Sequence, residues 1–165
     1  MLPLLLFGNT AVAAATISGR VLQVVDGDTL RLQSHDGHIH SIRLSGIDAP
    51  ELGQPYGEEA KRHLEALSLG QTLKAECYKR DRHRRQVCRV SLGGRDLALA
   101  QLQAGLAWWF TRYAAEQVEG ERLAYAAAER KAAQAGLGLW RQPAPTPPWQ
   151  WRRSKASALP ATPPE

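Results

Sequence analysis

Two Asp-Gly steps set in alternating apolar sequence, Asp26-Gly27 and Asp36-Gly37, constrain this chain more than any other feature. Alternation of period two marks half-buried strands, and Asp-Gly between such runs is a strong short-range signal for chain reversal. Residues 16–25, 28–33 and 38–44 therefore read as three strands of a meander. Gly46 and Pro50 break the pattern and confine a loop carrying Asp48 and Glu51.

The remaining pattern is mixed. Tyr56, Ala60, Leu64 and Leu67 fall on one face at helical spacing, which predicts a helix over 56–69 ended by Gly70, with Glu58 and Arg62 as an i,i+4 pair. Residues 72–78 and 86–92 read as strands around the basic turn YKRDRHRRQV, closed by Gly93-Gly94. Asp96 is placed to cap a short helix carrying Leu99 and Leu102, stopped by Gly105. Trp108-Trp109-Phe110 reads as an aromatic connector, and 114–135 as one long helix ended by Gly136. Five short strands with interleaved helices suit a mainly β, α+β domain: a five-stranded Greek-key barrel of OB-fold type with three packed helices. A generic α+β sandwich fits the periodicity nearly as well.

The organisation expected is a domain over residues 16–140 between two segments of different composition. The N-terminal stretch MLPLLLFGNTAVAAA joins an apolar run to small residues that fit an A-x-A cleavage site, without a preceding Lys or Arg. Residues 1–15 thus read as a signal peptide, truncated at its basic end, and imply a secreted or periplasmic protein. The run is too short to span a bilayer. From 141 to 165 the chain is rich in Pro and poor in aliphatics, and reads as a tail on which Trp149 and Trp151 can dock. Cys77 and Cys88, the only cysteines, lack zinc-like spacing. A mirror register about Arg82-His83 sets them opposite each other, where an oxidising compartment would close a disulfide; two unrelated buried thiols are the alternative.

Charge points toward an anionic partner. Lys and Arg outnumber Asp and Glu by 21 to 16, and sixteen of the basic residues are arginine, whose planar fork grips phosphate bidentately. Against that background the acids of DGDTLRL and IRLSGIDAPE stand out. Asp28 and Asp48 can offer oxygen ligands to a hard cation if their strand ends adjoin. Arg43 can bind a phosphodiester oxygen, and Glu51 can orient or deprotonate a water. Taken singly, each has an ordinary reading as turn, solvated loop or surface ion pair. An EF-hand is excluded, because Leu30 and Arg31 stand where ligand and glycine are required.

DGDTLRL followed by IRLSGIDAPE, in this order and separation, resembles the staphylococcal nuclease family. YGEEAKRHLEAL resembles its first helix, DRHRRQVCRV its arginine turn, DLALAQLQAGLAWW its second helix and GLGLW the end of its third. The likeness runs over about residues 17 to 140 and implies an OB barrel with three helices. It further implies one Ca²⁺ held by Asp28, Asp48 and the backbone carbonyl of Ala49, with Glu51 acting on the attacking water and Arg43 clamping the phosphate. The second clamp falls on Arg85 of the turn. His83 and Arg84 depart from the usual Tyr and Gly there; strand alternation puts Arg84 on the face opposite Arg85. Tyr113 stands near the family's substrate-side tyrosine, and Arg82 and His83 join it as candidate substrate contacts. The expected activity is Ca²⁺-dependent hydrolysis of phosphodiester bonds in DNA or RNA by a monomer. The rival classes are a non-catalytic OB module that binds nucleic acid or protein, and a cytoplasmic RNA-processing domain. Retention of the acids and arginines favours the enzyme.

Overall fold

The computed structural model describes residues 15–157. The expected signal segment lies outside them, apart from Ala15, which opens the first strand. Strands β1 (Ala15–Val24), β2 (Thr29–Ser34) and β3 (Ile39–Leu44) form the meander, and β4 (Ile47–Asp48) is a two-residue continuation. Helix α1 (Gly57–Ser68) leads to β5 (Thr72–Arg80), β6 (Gln86–Leu92) and the short β7 (Arg95–Asp96). Helix α2 (Leu97–Gln103), β8 (Trp108–Trp109), a 3₁₀ segment (Thr111–Glu116), α3 (Glu119–Gln134), a second 3₁₀ turn (Gly138–Arg141) and α4 (Pro148–Ser157) complete the chain.

The sheet order is β3-β2-β1-β5-β6-β7, and a parallel pairing of β3 with β6 closes it into a five-stranded barrel. Closure is what a sandwich lacks, so the barrel expectation holds over its rival. Alternate strand residues Val21, Leu30, Leu32, Ile42, Leu44, Leu73, Ala75 and Val90 fill the interior. Ala60 and Leu64 of α1, Leu97 and Leu102 of α2, and Tyr125 and Ala128 of α3 cover it.

Local chemistry explains most boundaries. The Asp96 carboxylate accepts from the backbone N–H groups of Ala98 and Leu99, the N-cap the sequence predicts. Its other oxygen accepts from the Tyr125 hydroxyl, tying α2 to α3. On α1, Arg62 pairs with Glu59 rather than Glu58, at 3.5 Å. The long helix expected from 114 starts at Glu119, because Gln117 and Val118 are extended. Gln117 is drawn out of helical geometry by tertiary partners: it accepts from Trp109 Nε1 and donates to Glu121. No Pro or Gly marks that break. Trp108-Trp109 is more than a connector, since it pairs with Ile47-Asp48 as a two-stranded ribbon.

Within the 141–165 segment, expected to be a tail, the described residues 141–157 contain α4 and lie against the domain. Trp149 stacks on Phe110 with ring centroids 5.4 Å apart, and Gln54 donates to the Thr146 carbonyl. Pro at the start of a helix is favourable, because its missing N–H has no intrahelical partner to lose.

The basic turn is a three-residue hairpin loop. Arg84 N–H donates to the Asp81 carbonyl, Asp81 N–H to that of Arg85, and Arg84 sits at φ +63°. A side chain in this left-handed region costs about 1–2 kcal/mol, partly offset by the greater unfolded-state freedom of glycine. Below the turn, Cys77 faces Cys88 in register and the two are joined by a disulfide. Arg84→Gly is accordingly expected to raise stability by about 1 kcal/mol in urea denaturation; a loss would show that the Arg84 side chain makes compensating contacts.

Candidate active site

The site forms where the DGD corner meets the end of β3 and the loop after β4. Asp26 Oδ1 accepts the Asp28 N–H at 3.0 Å, so the first aspartate folds the corner and aims the second. Gly27 serves close packing here, and its φ is not positive. A Cβ at this position would lie 2.6 Å from the Ala60 Cβ and 2.7 Å from the Ala49 Cβ. The corner is anchored by Gln101, a fully buried residue that sequence reading passes over. Its Nε2 donates to the carbonyls of Gly27 at 2.6 Å and Ala60 at 2.9 Å, while its Oε1 pairs with His63.

The Asp28 carboxylate is buried and hydrogen-bonded through both oxygens. Oδ1 accepts from Thr29 Oγ1 at 2.9 Å and Oδ2 from the Ala49 N–H at 2.9 Å. Arg43 lies opposite Thr29 in the β2–β3 register. Its Nη1 donates to the carbonyls of Leu44 and Ile47; its Nη2 lies 3.3 Å from Asp28 Oδ2 and 3.1 Å from Asp48 Oδ1. One guanidinium thus joins the two aspartates that the sequence nominates as ligands. Asp48 is held on β4 by the ribbon with Trp108.

Glu51 extends from the next loop and is substantially exposed, its side chain retaining 41% of its surface. Its backbone is fixed by Gln54, whose Oε1 accepts the Glu51 N–H. A Cβ on Gly57 would overlap the Glu51 carbonyl, so only glycine lets the start of α1 approach the loop this closely. From the basic turn, Arg85 Nε donates to Asp81 at 2.8 Å and Nη1 to Thr29 Oγ1 at 3.1 Å. The same threonine hydroxyl donates to Asp28, so Arg85 joins the network through it. Arg82 and His83 are exposed at the tip of the turn, where Arg82 Nε donates to His83. Tyr113 shares no hydrogen bond with this network: its ring packs edge-on against Phe110 and lies 4.1 Å from Lys79 Nζ.

A third arginine, which composition could not nominate, enters from α4. Arg152 Nη2 donates to Asp48 Oδ2 at 2.7 Å, and Nη1 reaches Asp48 Oδ1 at 3.3 Å and Glu51 Oε1 at 2.6 Å. In the sequence, Trp149-Gln150-Trp151-Arg152-Arg153 reads as a basic contact to nucleic acid or as plain tail, and nothing in it points to Asp48.

The electrostatics show an excess of negative charge. Burial, together with the neighbouring Asp28 charge, pushes the Asp26 carboxyl up to about 6. Burial and the charge of Asp28 also raise Asp48, against the opposing pull of Arg152 and Arg43. For Arg43 burial disfavours the charge, but Asp28, Asp48 and Asp26 more than offset this and hold it firmly protonated. Among the described residues no group of three or more His, Cys, Asp or Glu stands together as a cation cage. Two buried carboxylates bridged by one guanidinium, with backbone oxygens and water to complete the shell, are nevertheless an all-oxygen donor set suited to a hard divalent ion. The residual negative charge is what such an ion would neutralise.

Comparison with known proteins agrees with the barrel fold. The sequence profile of the family described as staphylococcal nuclease homologue matches residues 41–142. An uncharacterized endonuclease of Escherichia coli O157:H7 is 34% identical over 156 residues, 93% of this chain and 97% of the relative. A micrococcal nuclease of Shigella flexneri is 32% identical over 155 residues, covering 88% of this chain and 86% of the relative. The staphylococcal-like nuclease CAN1 of Arabidopsis thaliana is 39% identical over 114 residues, 69% of this chain but 33% of the relative. The chain spans between about a quarter and a third of the plant relatives it matches and nearly all of the first bacterial one.

Asp26 provides a test of the electrostatics. A carboxyl raised from 3.8 to about 6 on folding binds more protons in the folded state between those values, so its charge destabilises the fold as pH rises through that window. In chelator, Asp26→Asn is expected to be more stable than the parent at pH 8, by roughly 1–3 kcal/mol. The advantage should shrink from pH 6 downward and vanish below pH 4. Urea denaturation of both proteins at pH 4 and pH 8 measures it, and an equal difference at both pH values would refute the shift.

Proposed function

We propose that this chain, which belongs to the staphylococcal nuclease homologue family, is a Ca²⁺-dependent nuclease that cleaves DNA or RNA by water attack on phosphorus. The phosphodiester-hydrolase class follows from the family and from relatives named endonuclease and micrococcal nuclease. The observation that carries the finer reading is the sharing of Arg43 between Asp28 and Asp48, with Glu51 exposed on the adjoining loop.

Each residue has a role its surroundings suit. Glu51 is open to solvent and, freed of Arg152, is placed to accept a proton from a water on the substrate side. Arg43 is held at the site by two backbone carbonyls on Nη1 and two carboxylates on Nη2, so its Nε–H is the donor outside these contacts, and Nη2 becomes available to a phosphoryl oxygen when a cation takes over Asp28 and Asp48. Arg85 is held by Asp81 and Thr29 and would supply the second fork. Ca²⁺ held by Asp28, Asp48 and the Ala49 carbonyl would supply Lewis-acid stabilisation of that same charge. The Cys77–Cys88 disulfide supports a secreted or periplasmic location, where such bonds persist. Among the described residues no helix is long and apolar enough to cross a membrane.

The decisive assay offers single-stranded DNA, duplex DNA and RNA to the protein with Ca²⁺, Mg²⁺ or EDTA. Cleavage with Ca²⁺ and none in EDTA is expected; cleavage that persists in EDTA overturns the metal reading, and binding without cleavage favours a scaffold. Glu51→Gln should lower turnover about 10²–10⁴-fold, the usual contribution of general-base catalysis. Arg43→Lys should lower it about 10²-fold or more while the protein stays folded, because an ammonium cannot reproduce the bidentate fork. Near-parental turnover in either variant removes that residue from its role.

A further inference from the structure

We infer that Arg152 is a built-in competitor for the cation, a guanidinium on α4 that occupies the carboxylates of the site until a divalent ion displaces it. The inference rests on the metal reading above and adds a gate to it.

The carboxylate lone pairs show the conflict. Asp48 Oδ1 already accepts from Arg43 Nη2 at 3.1 Å and is approached by Arg152 Nη1 at 3.3 Å; Oδ2 accepts from Arg152 Nη2 at 2.7 Å. Arg152 also takes Glu51 Oε1 at 2.6 Å, the carboxylate assigned to the attacking water. A cation bound to Asp48 would need an oxygen that Arg152 now covers and would sit within a few ångströms of a like charge. Full occupancy by both is therefore strongly disfavoured, while either alone relieves the excess negative charge of Asp26, Asp28, Asp48 and Glu51.

The helix carrying Arg152 is lightly attached. Within α4 only Pro148 is buried, and residues 152–157 are exposed. Two clusters hold it: Trp149 against Phe110 and Trp108, and Arg152 on the carboxylates. The segment before it, QPAPTP, has Pro at 143, 145 and 147, and belongs to neither the barrel nor α3. Withdrawal of Arg152 consequently exposes no core. It frees Asp48 for the ion and Glu51 for water in one movement, so cation loading and release of the general base are coupled. The apparent affinity for the cation is then its intrinsic affinity scaled by the fraction of molecules with Arg152 withdrawn.

Calorimetric titration of Ca²⁺ into the full chain and three variants, without substrate, tests this independently of turnover. Arg152→Gln should bind Ca²⁺ roughly tenfold more tightly, as expected when a bidentate charged competitor is removed. Arg153→Gln removes the same charge from the neighbouring exposed position and should match the parent. Asp48→Asn should lose binding, which locates the ion. Equal affinity in Arg152→Gln and the parent overturns the competition while leaving the metal reading standing, and an equal gain in Arg153→Gln reduces it to a general charge effect and overturns it too. If neither the parent nor Arg152→Gln binds Ca²⁺, or if Asp48→Asn binds as the parent does, the metal reading itself falls and the competitor with it.

Discussion

The Arg43 guanidinium between Asp28 and Asp48 is the interaction on which the rest of the site depends. Asp28 stands at the entrance of β2, Arg43 near the end of β3, and Asp48 on β4, whose other neighbour is β8. Four segments must be in register before one nitrogen can reach both carboxylates. A buried ionic group without its partners is strongly destabilising, of the order of 3–5 kcal/mol when one partner is removed. The charged cluster is therefore a condition on the fold as well as a product of it. Arg43 also donates to the Leu44 and Ile47 carbonyls, which fixes the turn between β3 and β4. The Arg43 guanidinium is thus set by backbone as well as by carboxylates.

The second arginine is positioned by a different device. The parallel β3–β6 contact that closes the barrel brings Arg43 opposite Val87, two residues beyond Arg85. The disulfide clamps β5 to β6 just below the turn. Above it, Asp81 receives the N–H groups of His83 and Arg85 and the Arg85 side chain; despite burial, these bonds keep its carboxyl below the usual range. A left-handed Arg84 completes the loop without glycine, at the expense of backbone strain. The departures from the usual Tyr and Gly therefore leave the loop closed and Arg85 linked to Thr29.

Local patterns carried much of this into the sequence, and long-range contacts carried the rest. The two Asp-Gly corners, the Asp96 cap and the cross-strand cysteines are visible because each depends on residues a few positions apart. Gln101 was invisible because a glutamine in an apolar helix advertises nothing about Gly27, 74 residues away. The true start of α3 was hidden because Gln117 answers to Trp109 and Glu121 rather than to helix propensity. Arg152 was legible as part of a basic stretch that could face nucleic acid, but its contact with Asp48 and Glu51 was not. Its segment has the composition of a tail, too poor in aliphatics for a core, and α4 is held by an aromatic stack and a charged contact instead. Such a segment needs no core of its own when the domain supplies the charge it answers.

That charge also bears on what the domain is for. Burying Asp28 and Asp48 beside each other is costly, and Asp26 is raised toward neutrality by burial first and by the Asp28 charge second. Substituting neutral residues would relieve the repulsion at no loss to the hydrophobic core. Perturbed carboxyls grouped with pre-oriented arginines are the arrangement expected where charge must be stabilised during a reaction. Three arginines from three elements, the end of β3, the β5–β6 turn and α4, converge on these acids, yet Asp26 and Asp48 still resist ionisation. Burial is the larger cause and the Asp28 charge the lesser, so three guanidinium groups do not fully offset the cost of placing these carboxylates together away from water.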